Sequence, residues 1–194
     1  MLKQTPSQTV GPFFAFGLTA RQCGYDFTSL FPPVLAQPWA KGTPILITGR
    51  VFDGENRTIP DALIEIAHLD ATGQPVTSLE QARTSGFRGF GRSATGAEAD
   101  HSFTFRTIKP GAAAGEAPHV NCIVTMRGML VHAFSRFYFD DEAAANATDP
   151  VLAAVPAERR GTLLARRDTG VAGTACYRFD IHMQGPDETV FFDL

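Results

Sequence analysis

His119 and Asn121, which flank Val120 in the run HVN, occupy a spacing that is suited to metal binding. Residues two positions apart on a strand project from the same face, so a His-x-His pair would place two imidazoles side by side. Here the second imidazole is replaced by a carboxamide, whose oxygen is a poorer ligand for a transition metal than an imidazole nitrogen. The run therefore has the pattern of half a metal site that has lost its metal.

The other four histidines do not complete such a site. If the chain turns at Arg127-Gly128, His132 lies opposite Ile123, about four residues and roughly 13 Å from His119. One metal ion with bonds of ~2.1 Å cannot join two imidazoles over that gap. We interpret the remaining histidines as hydrogen-bonded or solvent-facing structural residues: His68, His101 and His182.

Other catalytic arrangements are missing from the sequence. It contains no GxSxG nucleophile motif, no phosphate-binding loop and no dinucleotide fingerprint. Cys122 lies in a run that predicts a buried strand, where a thiol is unreactive. The chain by itself therefore shows no complete active site.

The elements that would position these residues are strands. HVNCIVTM and MLVHAFSRFYF, joined by Arg127-Gly128, predict a hairpin. The alanine-rich run 140–167 predicts helix in two pieces, broken at Pro150 and Gly161. Further strand-like runs cover residues 45–53, 62–70, 90–95, 101–111, 175–185 and 188–194. Seven or eight short strands of this kind predict an all-β fold, an antiparallel β-sandwich with short helices.

The first 43 residues predict an irregular N-terminal arm, because proline and glycine are too dense for regular structure. This arm is nevertheless rich in phenylalanine, so it must pack on something. Two interpretations stay open: a tail held on its own domain, or an arm laid across a partner. Residues 44–194 are predicted to form the sandwich domain.

The composition fits a single domain of 194 residues with a large aromatic core, since 16 residues are phenylalanine. A net charge of −3 gives no reason to expect a nucleic acid or an anionic membrane as a partner. The three widely spaced cysteines favour a reduced, cytoplasmic protein.

Several segments, in order along nearly the whole chain, are similar to the intradiol ring-cleaving dioxygenases. They are TPSQTVGPFF, GRVFDG with DALIEIAHLDATGQ, FTFRTIKPG, APHVN, HAFSRFYFDDE and ETVFFD. Catalytic chains of that family hold a non-haem Fe(III) with two tyrosinates and a His-x-His pair. The positions that match these ligands here are Pro75, Ala113, His119 and Asn121, of which only His119 retains the ligand type.

Hard Fe(III) depends on anionic oxygen donors, so one imidazole would not retain it. The resemblance therefore implies the iron-free alpha chain of a two-chain member, with the iron on a homologous beta chain. It also implies that this chain forms one wall of the site, where a small aromatic acid, 3,4-dihydroxybenzoate, is cleaved by O₂ to 3-carboxy-cis,cis-muconate. The residues that match the wall are Thr9, Gly11, Pro12, Phe13 and Arg127.

The types of these residues are suited to contact with an aromatic, anionic substrate. Gly11-Pro12 lets backbone approach a flat ring, and an arginine on a turn can reach an anionic substrate. A packed turn and a solvated hairpin tip remain alternative interpretations of the same residues. Two other functions also remain open: an iron-free ligand-binding or scaffold module, and a metalloenzyme that uses an unrecognised histidine cluster.

Overall fold

The computed structural model describes residues 3–11, 14–113, 115–168 and 173–193. Within these residues, the strands are β1 Pro44–Phe52, β2 Leu63–Ala67, β3 Phe90–Ala94, β4 Ser102–Ile108, β5 His119–Thr125, β6 Ala133–Phe139, β7 Leu164–Asp168, β8 Ala175–Arg178 and β9 Ile181–His182. The helices are α1 Phe14–Leu18, α2 Leu79–Ser85, α3 Ala143–Asn146 and α4 Pro150–Ala154, with a 3-10 helix at Ala157–Leu163. No helix among the described residues has the length and apolar character needed to cross a membrane.

The sheet is mixed, so the prediction of an antiparallel sandwich is wrong. Its strands run in the order β3-β2-β5-β6-β7-β8-β1-β4, and β9 pairs with β1. β1 is parallel to β8 and β9, and β6 is parallel to β7. The β6–β7 pair is possible because the helical connection between Phe139 and Leu164 is long enough to return the chain in the same direction.

The sheet curls, and its two end strands approach each other. The backbone N–H of Thr104 on β4 donates to Ser93 Oγ on β3 over 3.4 Å. Alternate residues along the strands point inward and are buried, as the pattern of β1 shows. The core is strongly aromatic, and Phe137 stacks on Phe179 with ring centroids 4.4 Å apart. The inside of the curled sheet is thus filled in part by buried phenylalanines, namely Phe87, Phe103, Phe105, Phe137, Phe139 and Phe179.

Two local predictions are corrected. Residues 164–168 form β7 instead of the end of a helix, and the 3-10 helix continues through Gly161. The strand predicted at the C-terminus is reduced to a single bridge between Phe134 and Phe192. Pro150 does begin a helix, where Asp149 accepts a hydrogen bond from the backbone N–H of Leu152.

The hairpin of β5 and β6 is confirmed, but its connection is longer than predicted. β5 ends at Thr125 and β6 begins at Ala133, so residues 126–132 form a loop. Ile123 pairs with Phe134, and His132 lies in the loop instead of opposite Ile123. The predicted position of His132 is therefore wrong by two residues, because a longer loop shifts the register.

The N-terminal arm packs in part on the sheet of its own chain. Leu35 is fully buried in the core, and Phe31 meets Phe90 edge-on with centroids 4.9 Å apart. In contrast, Tyr25, Phe27, Leu30 and Trp39 are about half or more exposed. That a partner covers these exposed side chains, and that the domain begins at residue 44, remain predictions.

Candidate functional site

The four positions that the sequence predicted to match the iron ligands lie around one cavity. Pro75, Ala113, His119 and Asn121 all line a space of about 490 Å³. His119 and Asn121 share the outward face of β5, as the two-residue spacing predicted. The structure therefore brings together residues that are up to 46 positions apart in the sequence, 75 to 121.

The loops that carry Pro75 and Ala113 are held against each other at close range. The backbone N–H of Gly111 donates to Asp70 O over 2.8 Å. A Cβ on Gly111 would lie 2.6 Å from Ala71 O and from Gly73 N, so only glycine allows this approach. The two loops thus form a fixed rim on the cavity.

The first of these loops is shaped by a carboxylate. Asp70 Oδ1 accepts hydrogen bonds from the backbone N–H groups of Thr72 and Gln74 over 2.8 and 2.9 Å. Burial opposes the ionisation of Asp70, but the hydrogen bonds from Gln74 and Thr72 outweigh it and leave its pKa below the ordinary value. An ionised Asp70 therefore holds the turn that leads to Pro75.

The donors at the cavity do not fit a ferric ion. The side chains of Pro75 and Ala113 have no atom that could bind a metal. Each of the three tyrosines contacts a residue that is not among the four positions. The hydroxyl of Tyr138 donates to Asp149 over 2.9 Å, that of Tyr177 donates to Asp141 over 2.8 Å, and Tyr25 packs beside Phe16. In the part of the chain that the structure describes, no group of three or more His, Cys, Asp or Glu side chains is placed to hold a metal ion.

An ion pair occupies the wall of this cavity. Arg136 lies directly opposite Asn121 in the β5–β6 ladder, and its Nη1 contacts Glu116 Oε2 at 2.8 Å. The same Glu116 oxygen lies 3.6 Å from His119 Nε2. Burial lowers the pKa of His119 below its ordinary value, so this imidazole is neutral at neutral pH. The cavity wall therefore carries a fixed ion pair beside a neutral imidazole.

His119 is held in one tautomer. Its Nδ1 lies 2.9 Å from the carbonyl oxygen of Ala117, which can only accept, so Nδ1 carries the proton. The backbone N–H of Ala117 in turn donates to the buried carboxylate of Asp149 over 2.9 Å. This chain of contacts fixes the start of β5.

The remaining histidines are placed as follows. His68 is buried, with its ring nitrogens 2.7 Å from Leu69 O and 2.7 Å from Thr107 Oγ1. His101 lies 2.8 Å from Thr58 Oγ1, and His182 stacks on Phe52 at 4.9 Å between centroids. Local partners account for these three side chains, in agreement with their interpretation as structural residues.

Two of the predicted wall residues, Thr9 and Arg127, lie at the other end of β5. Arg127 is six residues beyond Asn121, which is roughly 20 Å along an extended strand. The backbone N–H of Gly128 donates to Thr9 Oγ1 over 2.8 Å, so the arm meets the hairpin loop beside Arg127. Gly11 is exposed, and Pro12 and Phe13 lie outside the described residues. The hydrogen bond from Gly128 connects Thr9 to the loop that carries Arg127. The roles of all five wall residues stay predictions.

The partner of Arg127 is not predictable from the local sequence. The Arg127 guanidinium forms an ion pair with Asp61, and the Arg127 side chain is still 58% exposed. Asp61 ends the turn before β2, and no local pattern links it to a residue 66 positions later. In the same way, no local pattern in the sequence predicts the ion pair between Glu116 and Arg136.

Comparisons with known proteins show which family the chain is similar to. A family model described as dioxygenase matches residues 34–185. The protocatechuate 3,4-dioxygenase alpha chain of Burkholderia cepacia is 57% identical over 194 residues, 100% of this chain and 98% of that one. The protocatechuate 3,4-dioxygenase beta chain of Burkholderia cepacia is 33% identical over 165 residues, 76% of this chain and 67% of that one.

A solved structure shares the fold. The dioxygenase domain of a dioxygenase carbohydrate-binding protein fusion from Streptomyces sp. SirexAA-E has a TM-score of 0.59 at 22% identity, covering 93% of this chain and 99% of that chain. The curled mixed sheet is thus the fold of a dioxygenase domain. The chain belongs to the intradiol dioxygenase family. Over its full length it is similar to an alpha chain of protocatechuate 3,4-dioxygenase.

Proposed function

We propose that this chain is the alpha subunit of an enzyme that converts 3,4-dihydroxybenzoate and O₂ to 3-carboxy-cis,cis-muconate. The bond between the two hydroxyl-bearing carbons is cleaved, and both oxygen atoms enter the product. The observation that carries the proposal is the cavity lined by Pro75, Ala113, His119 and Asn121, the four positions that the resemblance matches to the family's iron ligands. Similarity to an alpha chain over the full length supports it.

In this proposal a homologous beta chain holds the Fe(III) that the reaction requires. The similarity to a beta chain over 76% of this chain supports a pair of related subunits. The four positions here offer no phenolate, so the iron belongs on the partner. The alternative of an iron-free scaffold module is not favoured, because the chain matches named alpha chains over its full length.

The contribution of this chain would be one wall of the site, made by Thr9, Gly11, Pro12, Phe13 and Arg127. The contact between Thr9 and Gly128 supports the idea that the arm and the hairpin loop act as one surface. The exposed guanidinium of Arg127 is suited to a carboxylate, which it can bind through two parallel hydrogen bonds. The three cysteines are unpaired, which supports a cytoplasmic location.

Co-expression with a beta chain tests the proposal. The two chains should co-purify with about one iron per pair and cleave 3,4-dihydroxybenzoate, whereas this chain alone should contain no stoichiometric iron and show no turnover. A variant without residues 1–16 should assemble poorly and lose activity in parallel. Iron near one per chain in the chain purified alone, with turnover, would overturn the assignment.

A further inference from the structure

Asp61 and Arg127 lie opposite each other just past the end of the β2–β5 ladder. In that antiparallel ladder Leu63 pairs with Thr125, so the same register places residue 61 across from residue 127. Side chains that are directly opposite in an antiparallel pair are close enough to interact. The ion pair between the Arg127 Nε–H and the Asp61 carboxylate is therefore set by the register of the two strands.

The backbone that carries Asp61 is fixed on both sides. The backbone N–H of Ala62 donates to Thr95 Oγ1 over 3.0 Å, and the backbone N–H of Thr95 donates to Ala62 O over 3.0 Å. The Thr95 hydroxyl in turn donates to Ile59 O over 2.7 Å. Ala62 and Thr95 are fully buried, so Asp61 stands on a rigid part of the fold.

Arg127, in contrast, lies on the loop of residues 126–132. Its side chain is 58% exposed, whereas that of Asp61 is 20% exposed. In the part of the chain that the structure describes, Asp61 is the one hydrogen-bonding partner of the Arg127 side chain. A long side chain on a loop samples many rotamers, and ordering it costs entropy. The ion pair therefore limits the orientations of a guanidinium that would otherwise rotate freely.

The ion pair leaves the end of the guanidinium available. An arginine has five N–H donors, of which Nε carries one and the two Nη atoms carry four. The Nε–H donates to Asp61. The two Nη atoms can bind a second carboxylate through two parallel hydrogen bonds. Asp61 can thus orient Arg127 without taking the groups that recognise a carboxylate.

We propose that Asp61 is the positioning residue of Arg127, holding the guanidinium by Nε so that its Nη atoms face the carboxylate of a substrate bound at the partner chain. Asp61 touches no reacting atom and acts only through Arg127. This role, which rests on the proposed function, makes Asp61 a determinant of the preference for a carboxylated ring over plain catechol.

Steady-state kinetics of the complex with a beta chain test this role. Asp61→Ala should raise KM for 3,4-dihydroxybenzoate about 3- to 10-fold and leave kcat within about twofold, because binding must then order one more long side chain. KM for catechol, which has no carboxylate, should change less than about twofold. Removal of the Asp61 charge alone would lower KM for an anionic substrate, so the sign of the change separates orientation from charge. Asp61→Glu keeps the charge and should recover most of the native kcat/KM.

Two comparisons assign the effect to the ion pair. In an Arg127→Ala background, Asp61→Ala should have no further effect on either substrate. Asp100→Ala is the matched control, since Asp100 forms an exposed ion pair with Arg50 at 2.7 Å, and its loss should leave both KM values unchanged. Exposed ion pairs contribute little to stability, so the midpoint of thermal unfolding should fall by no more than about 4 °C in each variant.

A second measurement needs neither iron nor the beta chain. In the ¹H–¹⁵N spectrum of the full chain, the Arg127 Nε–H resonance is assigned by its absence from Arg127→Lys. In Asp61→Ala this resonance should move to the position of a solvated arginine, whereas in Asp100→Ala it should stay at its native position.

An unchanged or lowered KM for 3,4-dihydroxybenzoate in Asp61→Ala would overturn the positioning role, and so would an equal rise for catechol. An Arg127 Nε–H resonance that is the same in the native chain and in Asp61→Ala would overturn it as well. Each of these results leaves the proposed function standing as long as the native complex cleaves 3,4-dihydroxybenzoate. A native complex without turnover would overturn the proposed function and the role of Asp61 together.

Discussion

The backbone N–H of Gly128 donates a 2.8 Å hydrogen bond to the hydroxyl of Thr9, across 119 positions of sequence. This contact ties the N-terminal arm to the loop between β5 and β6. Gly128 has φ +86°, a conformation that glycine adopts readily. The arm and Arg127 are therefore presented on the same side of the molecule.

Replacing the Thr9 hydroxyl should loosen the arm without unfolding the chain. Thr9→Val keeps the shape and removes the acceptor, and we expect kcat/KM of the assembled enzyme to fall about 3- to 10-fold, as for a net loss of ~0.5–1.5 kcal/mol. Thr9→Ser keeps the hydroxyl and is the matched control. Steady-state kinetics with limited proteolysis of the arm would measure both. Equal kinetics of the Val and native enzymes would show that the contact has no part in the wall.

Arg127 should matter for a carboxylated substrate more than for plain catechol. Arg127→Ala removes a charge-assisted contact worth ~1.5–3 kcal/mol, so kcat/KM for 3,4-dihydroxybenzoate should fall one to two decades. Iron content and assembly should stay intact. Arg83→Ala, an exposed arginine on α2, is the control and should leave the rate unchanged. An equal loss for catechol would instead assign Arg127 to interface structure through Asp61.

Restoring one imidazole should not restore iron. Asn121→His recreates the His-x-His pair but leaves Pro75 and Ala113 without donors, so the purified chain should still lack stoichiometric iron and catechol turnover. A triple variant with Pro75→Tyr and Ala113→Tyr added is the informative comparison, because the three positions face one cavity. Metal analysis after growth with added iron measures both. Iron retained by the single variant would mean that the tyrosinate positions were wrongly assigned.

His68 should make the chain less stable as the pH falls. Burial lowers its pKa from 6.5 to about 4, so below pH 6.5 the unfolded chain takes up a proton that the folded chain does not. The stabilisation is complete above the unfolded pKa and is lost as the pH falls toward 4. Between about pH 7.5 and pH 5, this one group should lower the free energy of unfolding by about 2 kcal/mol.

Urea unfolding at several pH values checks this expectation. His68→Gln cannot titrate and should show a smaller loss over the same interval, whereas His132→Gln, at an exposed loop position, should match the native chain. His119 contributes in the same direction, because burial lowers its pKa as well. If the native chain and His68→Gln lost stability equally as the pH falls, His68 would be ruled out as a cause of that loss.

Local patterns in the sequence predicted most of the strands. Strand alternation is a property of neighbouring residues, so β1, β3 and β5 were found within one residue of their observed limits, whereas β2, β4 and β6 were predicted three or four residues too long at one end. The positions matched to the iron ligands came from the resemblance to the intradiol family, and residue types alone show whether a ligand atom exists at each of them.

The direction of strand pairing came only from the tertiary structure. Alternation along a single strand does not give the direction in which it pairs, so the sheet was predicted as antiparallel. The alanine-rich composition of residues 140–167 led to β7 being predicted as helix. The parallel pairing of β6 with β7 depends on where the helical segment between them, from Phe139 to Leu164, leads the chain back to the sheet. That is set by packing, through contacts such as Tyr138 with Asp149.

The residue types in the sequence by themselves determined that Pro75, Ala113 and Asn121 offer neither a phenolate nor an imidazole. Only the tertiary structure decided that Pro75, Ala113 and Asn121 enclose one cavity with His119, and that Glu116 and Arg136 supply its charge. It alone paired Arg127 with Asp61 and Thr9 with Gly128. The physical reason is that ion pairs and hydrogen bonds act over a few ångströms in space, and the fold brings together residues that are far apart along the chain.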